Sequence, residues 1–378
     1  MSCCLACGAA SLEKCLDLGI QPLANNYKKH PEDIEDNYPL GVNLCRECFH
    51  LQLFHFVKPN KMFKNYIWVS GTSEHYKKYL DWFAEKVTQL APAATNVLDI
   101  GCNDGSQLDA FKKRGLETFG VDPAENLAVE SSKRHSIHVG FFDENFQPAR
   151  KFDIVTAANV FGHVHDPLSF LLHAKSLTHS GSLIFIQTSQ ANMILNNEFD
   201  TIYHEHVSFF NCNSMKILVE RAGLVLREVS KTPIHGTTYI FVLGHMGPSH
   251  LSLLETEKAL GMYYHEMYTK WSAECKEKAR KLAERLHDKR VIGYGAAAKG
   301  NTVLNYIHIK PEVIIDDNPL KIGLFSPGMG SEIVSSSYIE TLGPGPVVFL
   351  ILAWNLMDEI KNKILKMRNN PLDEFVSI

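Results

Sequence analysis

The chain reads as an α/β protein, with two Rossmann-like units behind a small cysteine-bearing module. Three observations carry this. Compact apolar runs alternate with helical ones from residue 96 to 187, a second strand-turn-helix begins at Arg290, and four of the nine cysteines fall in two CxxC pairs. Alternation of strand and helix predicts βαβ units and a mostly parallel sheet. At roughly 150 residues per domain, 378 residues give two or three domains. Changes in texture divide the chain into residues 1–75, 76–250 and 251–378.

Within these units the elements follow in order. Residues 1–60 read as short strands and turns punctuated by Gly19, Pro22 and Pro39. A helix over Tyr76–Ala91 leads into the strand Asn96-Val-Leu-Asp-Ile-Gly101. Strands at 118–121, 152–157 and 182–187 then alternate with helices at 107–114, 124–132 and 168–177. Residues 251–289, rich in Lys, Glu and Ala and free of Pro, predict one long amphipathic helix. Arg290-Val-Ile-Gly-Tyr-Gly295, Val313-Ile-Ile-Asp-Asp317 and Val347-Val-Phe-Leu-Ile-Leu352 are the strands of the last unit.

Composition narrows the function. Lys plus Arg is 38 against 42 for Asp plus Glu, a net charge of −4. That balance disfavours a nucleic acid polymer as partner, because phosphate backbones select basic surfaces. No apolar run approaches the roughly 20 residues that span a bilayer, so no membrane partner is expected. Nine cysteines are too sparse for a disulfide scaffold, and the first residues lack a signal-peptide pattern. A reducing, cytoplasmic setting is expected, and a monomer.

Cys4-Leu-Ala-Cys7 and Cys45-Arg-Glu-Cys48 suit a structural zinc site, since two CxxC turns supply four tetrahedral thiolates and leave no open position. Cys3, next to Cys4, is a substitute ligand; spacing favours Cys4. A redox CxxC needs one pair in a thioredoxin-like βαβ context, which residues 1–60 lack.

Val97-Leu-Asp-Ile-Gly-Cys-Asn-Asp-Gly105 is a strand, a glycine turn and a helix start. Gly101, Asn103, Asp104 and Gly105 let a ligand approach the backbone, and Asp122, followed by Pro123, ends the next strand where an acid binds ribose hydroxyls. The turn is not GxGxxG, which disfavours a nicotinamide dinucleotide and points to S-adenosylmethionine. Phe141-Phe-Asp143, Phe142 above all, would flank the adenine. Asn159-Val-Phe-Gly-His163, His165 and Tyr203-His-Glu-His206 bring a general base, a carboxylate and a phenol toward the same edge. Solvated loop histidines are the bland alternative for any one of the 18. Lys299, in the small-residue turn Tyr294–Gly300, offers a point charge to a phosphate, and Trp354 and Asn355 end a strand on the same edge.

In this order, the motifs resemble the sugar-nucleotide C-methyltransferases of branched-deoxysugar biosynthesis, over essentially the whole chain. The resemblance rests on Cys4–Cys7, Gly19-Ile-Gln-Pro-Leu-Ala-Asn25, Cys45–Cys48, Ser70-Gly-Thr-Ser73, Ile100–Gly105, Glu205-His206, Gly293–Asn301, Pro327-Gly328 and Leu352-Ala-Trp-Asn355. It implies a zinc-binding module, a class I methyltransferase domain and a C-terminal α/β domain that helps bind the nucleotide-sugar. It also implies S-adenosylmethionine as cofactor and a thymidine diphosphate-linked 4-keto-6-deoxyhexose as substrate, methylated at carbon 3. By the family's pattern His206 is the base, Glu205 and Tyr203 assist, His163 stabilises the enolate oxygen and Tyr66 faces the substrate. Lys299, Tyr294, Asn301, His235, Trp354 and Asn355 fall on its sugar-nucleotide side. The departures are Gln187 in place of an acid, His235-Gly-Thr-Thr238 in place of His-Gly-Gly-Ser, and a divergent stretch after Gly328. They leave methyl transfer in place but leave open the identity of the sugar and of the accepting atom, so that methylation of a sugar oxygen or nitrogen is the alternative. A zinc-bearing interaction module without catalysis is opposed by the intact Gly101–Gly105 loop, Asp122 and the complete base cluster.

Overall fold

The computed structural model describes residues 3–62, 71, 74–234 and 236–378. Its first part holds β1 (Leu12–Pro22), β2 (Asn37–Cys45) and β3 (Leu51–Leu53). The middle part runs α1 (Glu74–Leu90), β4 (Asn96–Ile100), α2 (Ser106–Lys112), β5 (Glu117–Asp122), α3 (Glu125–Ser131), β6 (Ser136–Val139), β7 (Phe152–Ala158), α4 (Pro167–Ser176) and β8 (Thr178–Thr188). It then adds β9 (Ser208–Phe209), α5 (Cys212–Arg221), β10 (Val225–Thr232) and β11 (Thr238–Gly244). The last part runs α6 (Ser252–Ala259), α7 (His265–Leu286), β12 (Val291–Tyr294), α8 (Ala298–Ile307), β13 (Val313–Ile315), β14 (Glu332–Val334), β15 (Val348–Ile351), α9 (Met357–Met367) and β16 (Glu374–Ser377).

Among the described residues these strands form three sheets. The middle one has the order β10-β11-β8-β7-β4-β5-β6. It is parallel from β8 to β6 and ends in the antiparallel β11 and β10. Its inner strands β4, β7 and β11 are buried on both faces, as a sheet covered by helices requires. The chain first builds outward from β4 to β6 and then returns to build from β7. The crevice between the ends of β4 and β7 is therefore the switch point where open α/β sheets hold ligands. The C-terminal sheet, β14-β13-β12-β15-β16, is parallel throughout. Its own switch point lies between the ends of β12 and β15.

The N-terminal sheet, β1-β2-β3-β9, borrows its last strand from the middle part. Leu51 pairs with Phe209 and Gln52 with Ser208, and Leu53 N–H donates to the Val207 carbonyl at 2.9 Å. The cores are shared in the same way. Cys4, Ala6, Cys45 and Cys48 pack into the cluster that fills one face of the middle sheet. A second cluster joins Leu16, Leu40 and Val42 to Phe199, Ile202, Trp271 and Val303.

One element departs from the sequence expectation. Residues 251–289 form two helices, broken at Gly261 (φ +79°). Gly261 N–H bonds the Lys258 carbonyl and Met262 N–H the Glu257 carbonyl, the paired pattern that ends a helix at a left-handed glycine. Buried Glu257 then accepts from Cys212 N–H at 2.9 Å and from the Tyr239 and Tyr263 hydroxyls. Among the described residues no helix is long and apolar enough to cross a membrane.

Candidate functional site

A cavity of about 1300 Å³ runs from the switch point of the middle sheet to that of the C-terminal sheet. Single-ligand pockets occupy roughly 300–1,000 Å³, so this one has room for two ligands side by side. All three parts of the chain supply walls.

At the middle-sheet end the glycine turn follows β4. Gly101, Asn103 and Gly105 all have left-handed backbones (φ 72°, 52° and 82°). A Cβ on Gly101 would fall 2.2 Å from Val160, so only glycine fits there. The Asp122 carboxylate pins this turn to the end of β5, accepting Asn103 N–H and Ala124 N–H at 2.8 Å each. Gly101, Asn103, Asp122, Pro123, Phe142 and Asn159 line the cavity. Asp104 and Gly105 do not. Asp104 accepts from Gly71 N–H and Ser106, and Gly105 caps α2. The Phe142 ring lies 4.8 Å from Phe170 and 4.7 Å from His173. Asp99, which sequence reasoning passed over, lies in this wall and accepts the Thr156 hydroxyl at 2.6 Å; burial pushes its carboxyl up to about 7.

The middle of the cavity holds Tyr203, Glu205, His206 and His163. His206 Nδ1 is 2.7 Å from the Thr201 carbonyl, which can only accept, so Nδ1 carries the proton. Nε2 then presents its lone pair to the Tyr203 hydroxyl, 2.7 Å away. The Gln190 amide nitrogen lies 2.7 Å from Nδ1 and 3.3 Å from Nε2; with Nδ1 protonated the amide is turned over, so that its oxygen accepts there beside the Thr201 carbonyl. His163 stands 5.2 Å from His206 between ring centres, and burial pushes it down to about 4, leaving a neutral imidazole. The Glu205 carboxylate is held by Asn25, whose Nδ2 donates at 3.0 Å, and burial raises its pKa. His204, between these residues in sequence, does not line the cavity; its ring meets Tyr38 edge-on at 5.9 Å.

At the far end Lys299 and Asn355 reach the wall, joined by Asn25, Asn26, Tyr27 and Lys321, of which the sequence reading named none as a site residue. Lys321 donates to the Ala296 carbonyl at 2.7 Å, stands 3.8 Å from Asp316 and lies over the Tyr27 ring. Trp354, Tyr294 and Asn301 are not in the wall. The Trp354 ring supports the Lys299 ammonium at 4.7 Å, the Tyr294 hydroxyl donates to Asp317 at 3.1 Å, and Asn301 donates to the Ala24 carbonyl at 2.8 Å. Tyr66 and His235 lie outside the described residues. Gln187 is also off the cavity, its oxygen accepting the Tyr79 hydroxyl at 2.5 Å.

The sulfur atoms of Cys4, Cys7, Cys45 and Cys48 lie within 4.8 Å of one another, with 3.5 Å between Cys4 and Cys48 and between Cys7 and Cys45. Tetrahedral zinc, about 2.3 Å from each sulfur, separates them by about 3.8 Å, so these residues fit it. Cys3 is exposed and stands outside the cluster.

Residues 4–63 match the model of a putative zinc binding domain, 73–229 that of a methyltransferase domain, and 244–376 that of a C-methyltransferase C-terminal domain. The C-methyltransferase NovU of Streptomyces niveus is 28% identical over 94% of this chain and 90% of its own. The ubiquinone biosynthesis O-methyltransferase of Aeromonas salmonicida is 28% identical over 40% of this chain and 71% of its own. A solved S-adenosylmethionine-dependent methyltransferase from Clostridium acetobutylicum overlays 46% of this chain and 92% of its own, at 12% identity and a TM-score of 0.38. The protein is an S-adenosylmethionine-dependent methyltransferase with an N-terminal zinc site. More narrowly it is a C-methyltransferase, similar to NovU along nearly its whole length.

Two outcomes are expected. Cys45→Ser will release the zinc that the wild-type chain retains through gel filtration, and will lower the melting temperature; metal analysis and a thermal scan check this. His204 is buried, and burial holds it down at about 4 against about 6.5 unfolded. The unfolded state therefore binds the extra proton first, and stability falls as pH drops from 6.5 toward 4. About 2 kcal/mol will be lost between pH 8 and pH 5 on this account. Urea titrations of wild type and His204→Phe at both pH values will show the loss reduced in the variant.

Proposed function

We propose that the chain methylates carbon 3 of a thymidine diphosphate-linked 4-keto-6-deoxysugar. The observation that supports this most directly is the His206 imidazole, protonated at Nδ1 by its bond to a carbonyl and presenting Nε2 inside a cavity with room for two ligands. A carbon beside a ketone gives up its proton only where a base and an oxyanion partner face it together. The proton passes to His206 Nε2. The Tyr203 hydroxyl, which sits on that nitrogen, either yields its place to the sugar or relays the proton. Negative charge gathers on the ketone oxygen, where the neutral His163 imidazole donates its N–H. Glu205, fixed by Asn25, stands beside the base and stabilises the cation that forms there.

Gly101, Asn103, Asp122, Pro123, Phe142 and Asn159 would hold S-adenosylmethionine, which when bound supplies the electrophilic methyl group. That methyl would take the place of the abstracted proton, with the sulfonium leaving as a neutral thioether. Lys299 and Lys321 face the diphosphate, and Asn355 the nucleotide-sugar. On this reading Tyr294, Asn301 and Trp354 support that end from behind. The chain is organised as units with borders near residues 75 and 250. One chain supplies the cavity walls, which supports a monomer. Four thiolates held for zinc support a reducing, cytoplasmic setting.

The test uses the ketosugar in deuterated buffer without cofactor. Wild type will exchange the carbon-3 proton. His206→Gln will lose exchange and methylation by about 10²–10⁴-fold, the usual contribution of a general base. Its affinity for S-adenosylmethionine, measured by calorimetry, will stay within about twofold of wild type. Methyl transfer without exchange would instead place the methyl on oxygen or nitrogen.

A further inference from the structure

The helical turn Phe199–Thr201 precedes the loop that carries Tyr203, Glu205 and His206, and it packs against the C-terminal unit. Phe199 meets Tyr306 of α8 edge-on at 5.6 Å between ring centres. Asp200, 1% exposed, accepts a hydrogen bond of 2.7 Å from the Trp354 indole N–H. The next residue, Thr201, supplies the carbonyl that holds His206 Nδ1. The other side of Trp354 faces Lys299, whose ammonium rests 4.7 Å from the ring. The indole is hemmed in as well, because a Cβ on Gly236 would come within 3.0 Å of it. Neither Asp200 nor Trp354 lines the cavity.

We propose that Trp354 and Asp200 are a pair of positioning residues, a strut that sets the orientation of His206 at one end and the seat of Lys299 at the other. The indole N–H donates to a carboxylate away from water, the stronger class of hydrogen bond. Removing the donor leaves that buried carboxylate short of a partner, and the turn relaxes. Thr201 then moves, and His206 loses the acceptor that keeps its proton on Nδ1. The strut therefore joins the grip on the substrate's phosphates to the readiness of the base. Its role at the Lys299 end rests on the nucleotide-sugar reading; its role at the His206 end does not.

The test begins on the free protein. The nitrogen-15 spectrum of the His206 ring, identified by its loss in His206→Gln, reports which nitrogen carries the proton. Trp354→Phe keeps the ring under Lys299 and removes only the donor. It will shift the tautomer balance away from Nδ1–H, and an unchanged spectrum overturns the strut whatever the substrate is. In turnover, Trp354→Phe will lower kcat and carbon-3 exchange at least tenfold, with KM for the nucleotide-sugar within twofold. A rise in KM alone, with kcat intact, also overturns it. The pair Trp354→Phe with Asp200→Leu will cost no more than Trp354→Phe alone, because the lost bond is shared; additive losses would count against the strut. If Trp354→Phe does not fold, Asp200→Leu takes its place: it removes the acceptor of the same bond, so it will shift the tautomer and lower kcat likewise, and an unchanged spectrum and kcat overturn the strut. A wild type that fails to exchange the ketosugar proton defeats the substrate reading and leaves the spectrum to decide the strut.

Discussion

A two-residue strand holds the site together. Ser208–Phe209 completes the N-terminal sheet, and its pairing with Leu51–Gln52 fixes the end of the loop that carries Tyr203, Glu205 and His206. A loop anchored only at its start would leave His206 free to turn in the cavity. Here both ends are tied, one to an N-terminal strand and one, through Phe199 and Tyr306, to a C-terminal helix. Placing a proton acceptor to within a fraction of an ångström requires such bracing, because misplacement of about 1 Å costs a catalyst heavily.

The second organising fact is that burial weighs against charge at the middle of the cavity. His163 is pushed down to a neutral imidazole, and the carboxyls of Asp99 and Glu205 are raised, each with burial as the largest cause. A poorly solvated wall strengthens every dipole aimed into it. The wall also carries lysines, Lys299 and Lys321 from the C-terminal unit and Lys58 and Lys61 from the N-terminal part.

Patterns confined to a few neighbours were legible before any coordinates. The turn from Gly101 to Gly105 and the two CxxC pairs announce themselves by spacing, and the parallel sheet follows from the alternation of strand and helix. Residues whose meaning lies in distant partners were silent. Asn25 holds a carboxylate 180 positions away, and Thr201 matters through a carbonyl that every residue possesses. Lys321 reads as one more lysine after a strand. Tyr294 and Asn301, placed on the cavity edge by their motif, turn to Asp317 and Ala24 because a strand end and a helix start send neighbouring side chains in different directions. The break at Gly261 did leave a mark, a glycine within a helical pattern, but the length of that pattern outweighed it.

The segment from Leu23 to Lys28 has a consequence for anyone recombining such enzymes. Asn301 bonds the Ala24 carbonyl, the Tyr27 hydroxyl bonds the Ala296 carbonyl, and Lys28 pairs with Phe325, while Glu35 accepts from Gly328 N–H. These contacts stitch the beginning of the chain to its last third across the intervening fold. A chimera that exchanged only the C-terminal unit would cut every one of them. The transferable cassette is discontinuous: residues 23–35 must travel with the unit they embrace.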